Sequence, residues 1–437
     1  MKKLLIIGAG AAGMMAAIKA PAGYQVTILE KNEKAGKKLF ITGKGRCNVT
    51  NDSDSDNFMR HTVSNPKFLF TAISAYDQHA LMDDLSKWGL KLKTERGDRV
   101  FPLSDHSSDV IRTLETQVKK RNGKIIYGEN VSELLYESFQ SDNPKDKYQW
   151  KANGVRTKSG KTYMADTIIF ATGGLSYPQT GSTGDGHRIL QKIGVSSTEM
   201  LPALCALETA GPDAPSMMGL AMKNVSGSLI VRKNPDWKIK KDKVIYQELG
   251  EMLFTHFGIS GPIVLSASSY LANIMRKHGV RRVEKGFVTF SLDLKPALTE
   301  EKLDLRLQRD FEKYQNREFQ NALSDLLPRM MIPVVVKRSG IEAEKKVNQI
   351  THEERKNLLS LLKNLEFDIV GMRDFPEAII TSGGIDVKEI NPSTMELKKI
   401  KNVKCVGELI DCDALTGGYN LQIAWATSCL ASSTLDD

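Results

Sequence analysis

Three glycine-containing stretches, far apart in the chain, carry residue types suited to one site. Gly8-Ala9-Gly10-Ala11-Ala12-Gly13 follows the short apolar run Lys3 to Ile7 and opens a helix-favouring stretch, Ala11 to Ala20. A strand before and a helix after turn the glycine triad into a dinucleotide fingerprint. Small residues there let the backbone approach a diphosphate, whose charge is favoured by the free amides and dipole of a helix N-terminus. Glu30 closes a second strand, Tyr24 to Leu29, where a carboxylate accepts hydrogen bonds from an adenosine ribose and disfavours a 2′-phosphate. The chemistry to expect is redox, with FAD as the cofactor.

The second stretch, Gly36 to Asn51, mixes glycines, hydroxyls and cations. Lys38, Thr42, Arg46, Asn48 and Thr50 can all donate hydrogen bonds to phosphates and a ribityl chain. On composition alone, a solvated basic loop fits equally well. The third stretch, Gly407 to Gln422, ends in Gly417-Gly418-Tyr419-Asn420 and leads into a helix of small residues. A helix starting there aims free amides at whatever lies before it, stabilising negative charge.

Four longer strings sharpen this reading. KKLFITGKGRCNVTN (37 to 51), ATGGLSYPQTGSTGDGH (171 to 187), LFTHFGISGP (253 to 262) and GELIDCDALTGGYNLQIAWATS (407 to 428) together resemble the BaiN-like NAD(P)/FAD-dependent oxidoreductases, over nearly the whole chain. The resemblance implies an α/β fold: a glutathione-reductase-type FAD-binding Rossmann domain with an inserted β-barrel-like plus helical domain. It also implies that Ala171, Thr172, Gly173 and Gly174 form the second crossing beside the cofactor, that Gly184 and Asp185 start a helix near it, and that Glu408 and Asp411 are its acidic pair. Lys31, Leu39, Gly43, Gly407, Gly418, Asn420 and Leu421 join this cofactor-binding set, as does Val131 through its backbone against the adenine. Members of the family include enzymes described as reducing unsaturated 3-oxo bile acid intermediates, an aminoacetone oxidase, and dihydrouridine synthases acting on ribosomal RNA. The first and last share a mechanism, hydride delivery from reduced flavin to a conjugated C=C. Amine oxidation with peroxide release, or a mainly RNA-binding role, are the alternatives.

Two side chains are candidates for proton delivery. His256, in Phe254-Thr255-His256-Phe257-Gly258, has an unperturbed pKa near about 6.5 and suits general acid work, but a histidine satisfied within a packed turn fits the same pattern. Cys47 is either a donor or a small residue buried against the cofactor. A second strand–GxGxxG–helix unit is missing from the sequence, so NAD(P)H is expected to visit the flavin transiently. The CxxxxC pair of disulfide reductases is missing as well, which sets disulfide reduction aside.

Composition bounds the rest. The 437 residues, 41% hydrophobic and 26% charged, suit an ordinary globular chain of two or three domains. Five scattered cysteines without a CxxC pair suggest neither a disulfide framework nor a zinc site and fit a reducing cytoplasm. Glycines interrupt the opening apolar run, so it reads as a strand and not as a signal peptide. No apolar stretch approaches the roughly 18 residues of a membrane span. The net charge is +9, and Arg232 to Lys243 holds six basic and two acidic residues, Arg276 to Lys285 five and one. With Trp237, Tyr246 and Tyr270 close by in sequence, these stretches are candidates for gripping RNA, although short basic runs are commonly solvated faces. The partner is therefore a small molecule or rRNA, and the sequence does not specify the oligomeric state.

The elements that must position these residues divide at two places. Residues 1–194 and 376–437 read as one discontinuous FAD-binding domain, and 195–375 as an insertion, β-rich over 195–296 and helical over 297–375. Within the first, helices are expected over Pro66 to Trp88 and Ser107 to Arg121. Within the second, strands are expected over Val225 to Arg232, Val244 to Phe254 and Phe287 to Leu294, and helices over Glu300 to Leu327 and His352 to Asn364.

Overall fold

A computed structural model describes residues 1–140 and 147–435. The chain forms two compact units, Met1–Ala203 with Asp374–Asp437, and Leu204–Arg373.

The first unit is built on a five-stranded parallel sheet. Its strands are β1 (Lys2–Ile7), β2 (Tyr24–Glu30), β3 (Lys124–Tyr127), β4 (Thr167–Phe170) and β5 (Val403–Cys405), in the order β5-β4-β1-β2-β3. Leu4 to Ile7 and Ile168 to Phe170 are wholly buried, as strands covered on both faces require. Helix α1 (Ala11–Lys19) leaves the end of β1 and stops short of Pro21, whose ring cannot continue it. Helix α2 (Lys37–Ile41) follows β2, and α3 (Asp185–Gln191) follows β4. The last helix, α4 (Tyr419–Ser433), is buried almost all round, with Ala424, Ala426, Thr427 and Ser428 small enough for close contact with its neighbours. The Ser432 hydroxyl donates to the Ala16 carbonyl at 2.8 Å, tying α4 to α1. From β5, the buried Lys404 ammonium donates to the Ala431 and Thr434 carbonyls at 2.8 and 3.0 Å, capping the C-terminal end of α4 where a cation is favoured.

The second unit contains a closed antiparallel barrel of Leu207–Thr209, Gly258–Ser260, Lys243–Thr255, Ala221–Val231, Val288–Asp293 and Leu365–Met372, in that order. Helices Glu300–Lys313, Ile332–Ser339 and His352–Lys363 accompany it. Thus the fold is α/β with a Rossmann-type sheet and a six-stranded barrel.

Several local expectations change. Pro66 to Trp88 is two helices, Pro66–Ala75 and Gln78–Lys87, because the Asp77 side chain accepts the Ala80 amide and caps a new start. The helical stretch after Glu300 ends at Lys313 and gives way to short turns. A 17-residue helix, Pro262–His278, was not expected. Its buried Ser266, Ser268 and Ser269 blur the apolar period, although Pro at its start and left-handed Gly279 at its end mark the boundaries.

Candidate functional site

At the β1–α1 turn, a Cβ on Gly13 would lie 1.9 Å from the Gly8 carbonyl oxygen, so strand and helix touch backbone to backbone. At Gly10 the reverse holds: no heavy atom stands within 4 Å of where a Cβ would be. The turn is closed underneath and open above. Glu30, 7% exposed, accepts the Ala9 amide on Oε2 at 2.7 Å and the Asn32 amide and side chain on Oε1 at 2.9 and 2.8 Å. The Glu129 amide donates to the Glu30 carbonyl at 3.0 Å, which brings the chain leading into the Val131–Ser138 strand alongside; Val131 itself is buried.

The second stretch folds back onto this turn. The Gly36 amide donates to the Ala9 carbonyl at 2.9 Å. Two residues on, the Lys38 ammonium meets Ser176 Oγ at 2.6 Å and Glu408 Oε2 at 2.5 Å. The Thr50 hydroxyl donates to Gln422 Oε1 at 2.8 Å, and Trp425 Nε1 donates to the Val49 carbonyl at 2.9 Å. A Cβ on Gly418 would stand 2.3 Å from the Thr50 carbonyl group, so only glycine permits this approach of the second and third stretches. Gly407 lies against α1, where its Cβ would meet that of Ala12 at 2.9 Å. Asn420 serves the loop before α4, accepting the Ala414 amide at 2.9 Å and donating to the Ala414 carbonyl at 2.7 Å, with half-buried Leu421 beside it. Asp411 is buried, and its carbonyl accepts from the Asn65 side chain at 2.6 Å.

After β4, buried Ala171 continues into Thr172, Gly173 and Gly174, and a Cβ on Gly174 would stand 2.4 Å from Thr381 Oγ1. That hydroxyl oxygen accepts the Leu175 and Ser176 amides at 2.7 and 3.0 Å. Left-handed Gly184 starts α3, and Asp185 pairs with Lys31 at 2.5 Å. Burial would lift the Asp185 carboxyl, but the hydrogen bonds from Lys31 and Thr183 hold it below its ordinary value.

The other candidates make local contacts of their own. The Arg46 guanidinium is engaged by Glu95 and Asp105 and lies 4.1 Å from the Phe101 ring; the Glu95 contact, then that of Asp105, holds it above its usual value. Thr42 donates to the Leu39 carbonyl at 2.7 Å, and Gly43 packs against the Asn48 amide. Cys47 is fully buried, and burial pushes its thiol up to about 12 against the Thr42 hydrogen bond. His256 is exposed at the barrel hairpin between Lys243–Thr255 and Gly258–Ser260, its ring 4.9 Å from that of Phe257.

The residues present fit a bound dinucleotide. At Gly10 the space where a Cβ would stand is open to 4 Å, and Asn48 Oδ1, Thr172 Oγ1 and both ring nitrogens of His187 are buried without a partner among the described residues. Groups of this kind call for an explanation, because desolvating them unpaired is costly. Sequence reasoning passed over His187, Ser176 and Thr381: a lone histidine or hydroxyl has no spacing that sets it apart. Burial pushes His187 down to about 4, although the Glu408 carboxylate opposes this.

A Rossmann sheet, a strand–turn–helix open at Gly10, a buried carboxylate at the end of β2 and two further stretches that join them define a flavin-dependent oxidoreductase. The chain belongs to the family described as HI0933-like protein Rossmann domain, which matches residues 2–434. It is 28% identical over 434 residues to a 3-dehydro-bile acid delta(4,6)-reductase of Clostridium scindens, covering 99% of this chain and 98% of that protein. To a ribosomal RNA dihydrouridine synthase of Haemophilus influenzae it is 26% identical over 427 residues, covering 97% and 96%. A solved 3-ketosteroid delta1-dehydrogenase from Sterolibacterium denitrificans aligns over 99% of each chain at 12% identity, with a TM-score of 0.49.

Proposed function

We propose that the chain holds FAD between its three remote stretches and transfers hydride to a C=C conjugated with a carbonyl. The observation that carries this reading is the joining of the second and third stretches through Thr50–Gln422, Lys38–Glu408 and Gly418 against Thr50, with Gly36 on Ala9 and Gly407 on Ala12 tying both to the fingerprint turn. In this reading Gly10 and the first amides of α1 take the diphosphate, and Glu30 takes the adenosine ribose. Lys38, Thr50 and Glu408 line the ribityl region, and the α4 N-terminus faces the ring. Bound flavin supplies hydride chemistry that no side chain offers. NAD(P)H is a visiting donor, since the sequence holds a single strand–glycine–helix fingerprint. Proton delivery falls to His256 or to water: His256 is exposed, whereas Cys47 is sealed from solvent. Five buried cysteines outside any disulfide are in keeping with a reducing cytoplasm.

The acceptor is an enone in a small acid or a uracil in rRNA, the substrates named for the two relatives. Lys233, Lys238, Lys240, Lys241 and Lys243, with Lys277, Arg281, Arg282 and Lys285, are exposed and favour the RNA reading. Trp237 and Tyr246 are buried and supply no stacking surface. No helix among the described residues is long and apolar enough to cross a membrane. Anaerobic mixing of the FAD-loaded chain with NADH and with NADPH tests the donor role. The flavin is expected to bleach, and then to regain colour with a 3-oxo-4-ene steroid acid or with unmodified rRNA; a flavin that never bleaches contradicts the proposal. Reoxidation by RNA that Lys240→Glu with Lys241→Glu abolishes, while the steroid acid still turns over, selects RNA.

A further inference from the structure

One polar knot joins four separate pieces of the first unit. The Glu408 carboxylate accepts from the Lys38 ammonium at 2.5 Å, from Ser176 Oγ at 2.9 Å and from the Thr381 amide at 2.8 Å. Ser176 also accepts from Lys38 at 2.6 Å. The Thr381 hydroxyl oxygen in turn takes the amides of Leu175 and Ser176, so Ser176 and Thr381 fix the carboxylate from the protein side while Lys38 closes it from α2. Both charged side chains are 23% exposed. An ion pair partly withdrawn from water is screened less than one at the surface, so neutralising either partner leaves a charge that acts over a longer range.

The knot also lies where the stretches of the cradle meet. Gly407, the neighbour of Glu408, lies against Ala12, and Gly36, two residues before Lys38, donates to Ala9. Two-electron reduction by hydride adds one negative charge to a flavin ring. A fixed cation nearby favours that charge and a fixed anion opposes it.

We propose that Lys38 and Glu408 set the reduction potential of the bound flavin with opposite signs, and that Ser176 and Thr381 are positioning residues that hold the pair in register. The Lys38 cation favours the reduced form, and Glu408 restrains it. Ser176 Oγ and the Thr381 amide donate neutral hydrogen bonds to Oε1 of Glu408, while Lys38 holds Oε2. This proposal rests on the flavin reading above.

Spectroelectrochemical titration of the FAD-loaded chain tests it. Lys38→Met is expected to lower the equilibrium constant for reduction at least tenfold, about 30 mV more negative for a two-electron couple, and Glu408→Gln to raise it by a similar factor. The double variant should return to within threefold of the parent, and Lys38→Arg, which keeps the cation, should stay there too. Should Lys38→Met fail to load flavin, Lys38→Gln keeps a hydrogen-bonding end without the charge and is expected to shift the potential the same way. Shifts of the two single variants in the same direction, or both under threefold, overturn the proposal and leave the flavin reading standing. A parent chain that takes up no flavin overturns the flavin reading and this proposal with it.

Discussion

The Glu30 carboxylate and the Ala9 amide are joined at 2.7 Å, so the acid at the end of β2 and the glycine turn at the end of β1 form one rigid piece. If Glu30 takes the ribose as proposed, that bond sets the direction of its carboxylate beforehand and spares binding part of its ordering cost. Glu30→Ala removes a charged hydrogen-bond acceptor, and hydrogen bonds to charged groups contribute about 1.5–3 kcal/mol. FAD affinity is expected to fall by roughly ten- to a hundredfold, read by fluorescence titration. A change below about threefold would show that Glu30 serves the fold alone.

Gly10 and Gly13 separate ligand approach from packing. Gly13→Ala drives a methyl onto the Gly8 carbonyl and is expected to destabilise the fold by about 1–3 kcal/mol or more, lowering the denaturant midpoint. Gly10→Val meets open space in the chain alone, so the midpoint should hold while FAD binding is lost. Equal damage to stability from both substitutions would refute the open face at Gly10.

His187 makes stability fall on acidification. Unfolded, it takes up a proton near 6.5, and folded only near about 4, so stability is fully present above the first value and is lost as pH falls toward the second. The interval corresponds to roughly 3 kcal/mol at most. Urea midpoints measured at about pH 7 and about pH 4.5 should therefore differ more for the parent than for His187→Leu, which cannot titrate. An equal drop in both would mean that the imidazole finds a partner in solution.

The buried thiols make a plain chemical prediction. None of the five cysteines is in a disulfide, all are buried, and burial pushes the Cys47 thiol up to about 12. A thiol reagent at neutral pH should label none of them rapidly in the folded chain and all five after denaturation. Turnover by Cys47→Ala close to that of the parent would assign the proton to another donor; a loss of three orders of magnitude or more with normal flavin binding would restore Cys47 as the acid.

The framework of the first unit was legible because its signals are local. Apolar runs such as Leu4 to Ile7, followed by small residues, announce strand–turn–helix directly, and Gly417-Gly418 announce α4 in the same way. What could not be read were partnerships across the chain. Arg46 looks like a phosphate ligand by type, yet Glu95 and Asp105 take its guanidinium, and nothing in the spacing of those acids points to it. Thr381 and Ser176 matter only because β4 and the chain before Gly383 come together, a long-range event with no periodic trace. The serine-rich helix Pro262–His278 escaped for a different reason, since hydroxyls buried against neighbouring strands mimic polar loop positions.

FAD uptake by the purified, flavin-stripped chain is the most direct test of a single cradle made from three remote stretches. Titration followed by visible absorbance and flavin fluorescence is expected to show one equivalent bound per chain, lost in Gly10→Val at unchanged stability and weakened roughly ten- to a hundredfold in Glu30→Ala. A folded chain that stays colourless at saturating FAD would contradict it.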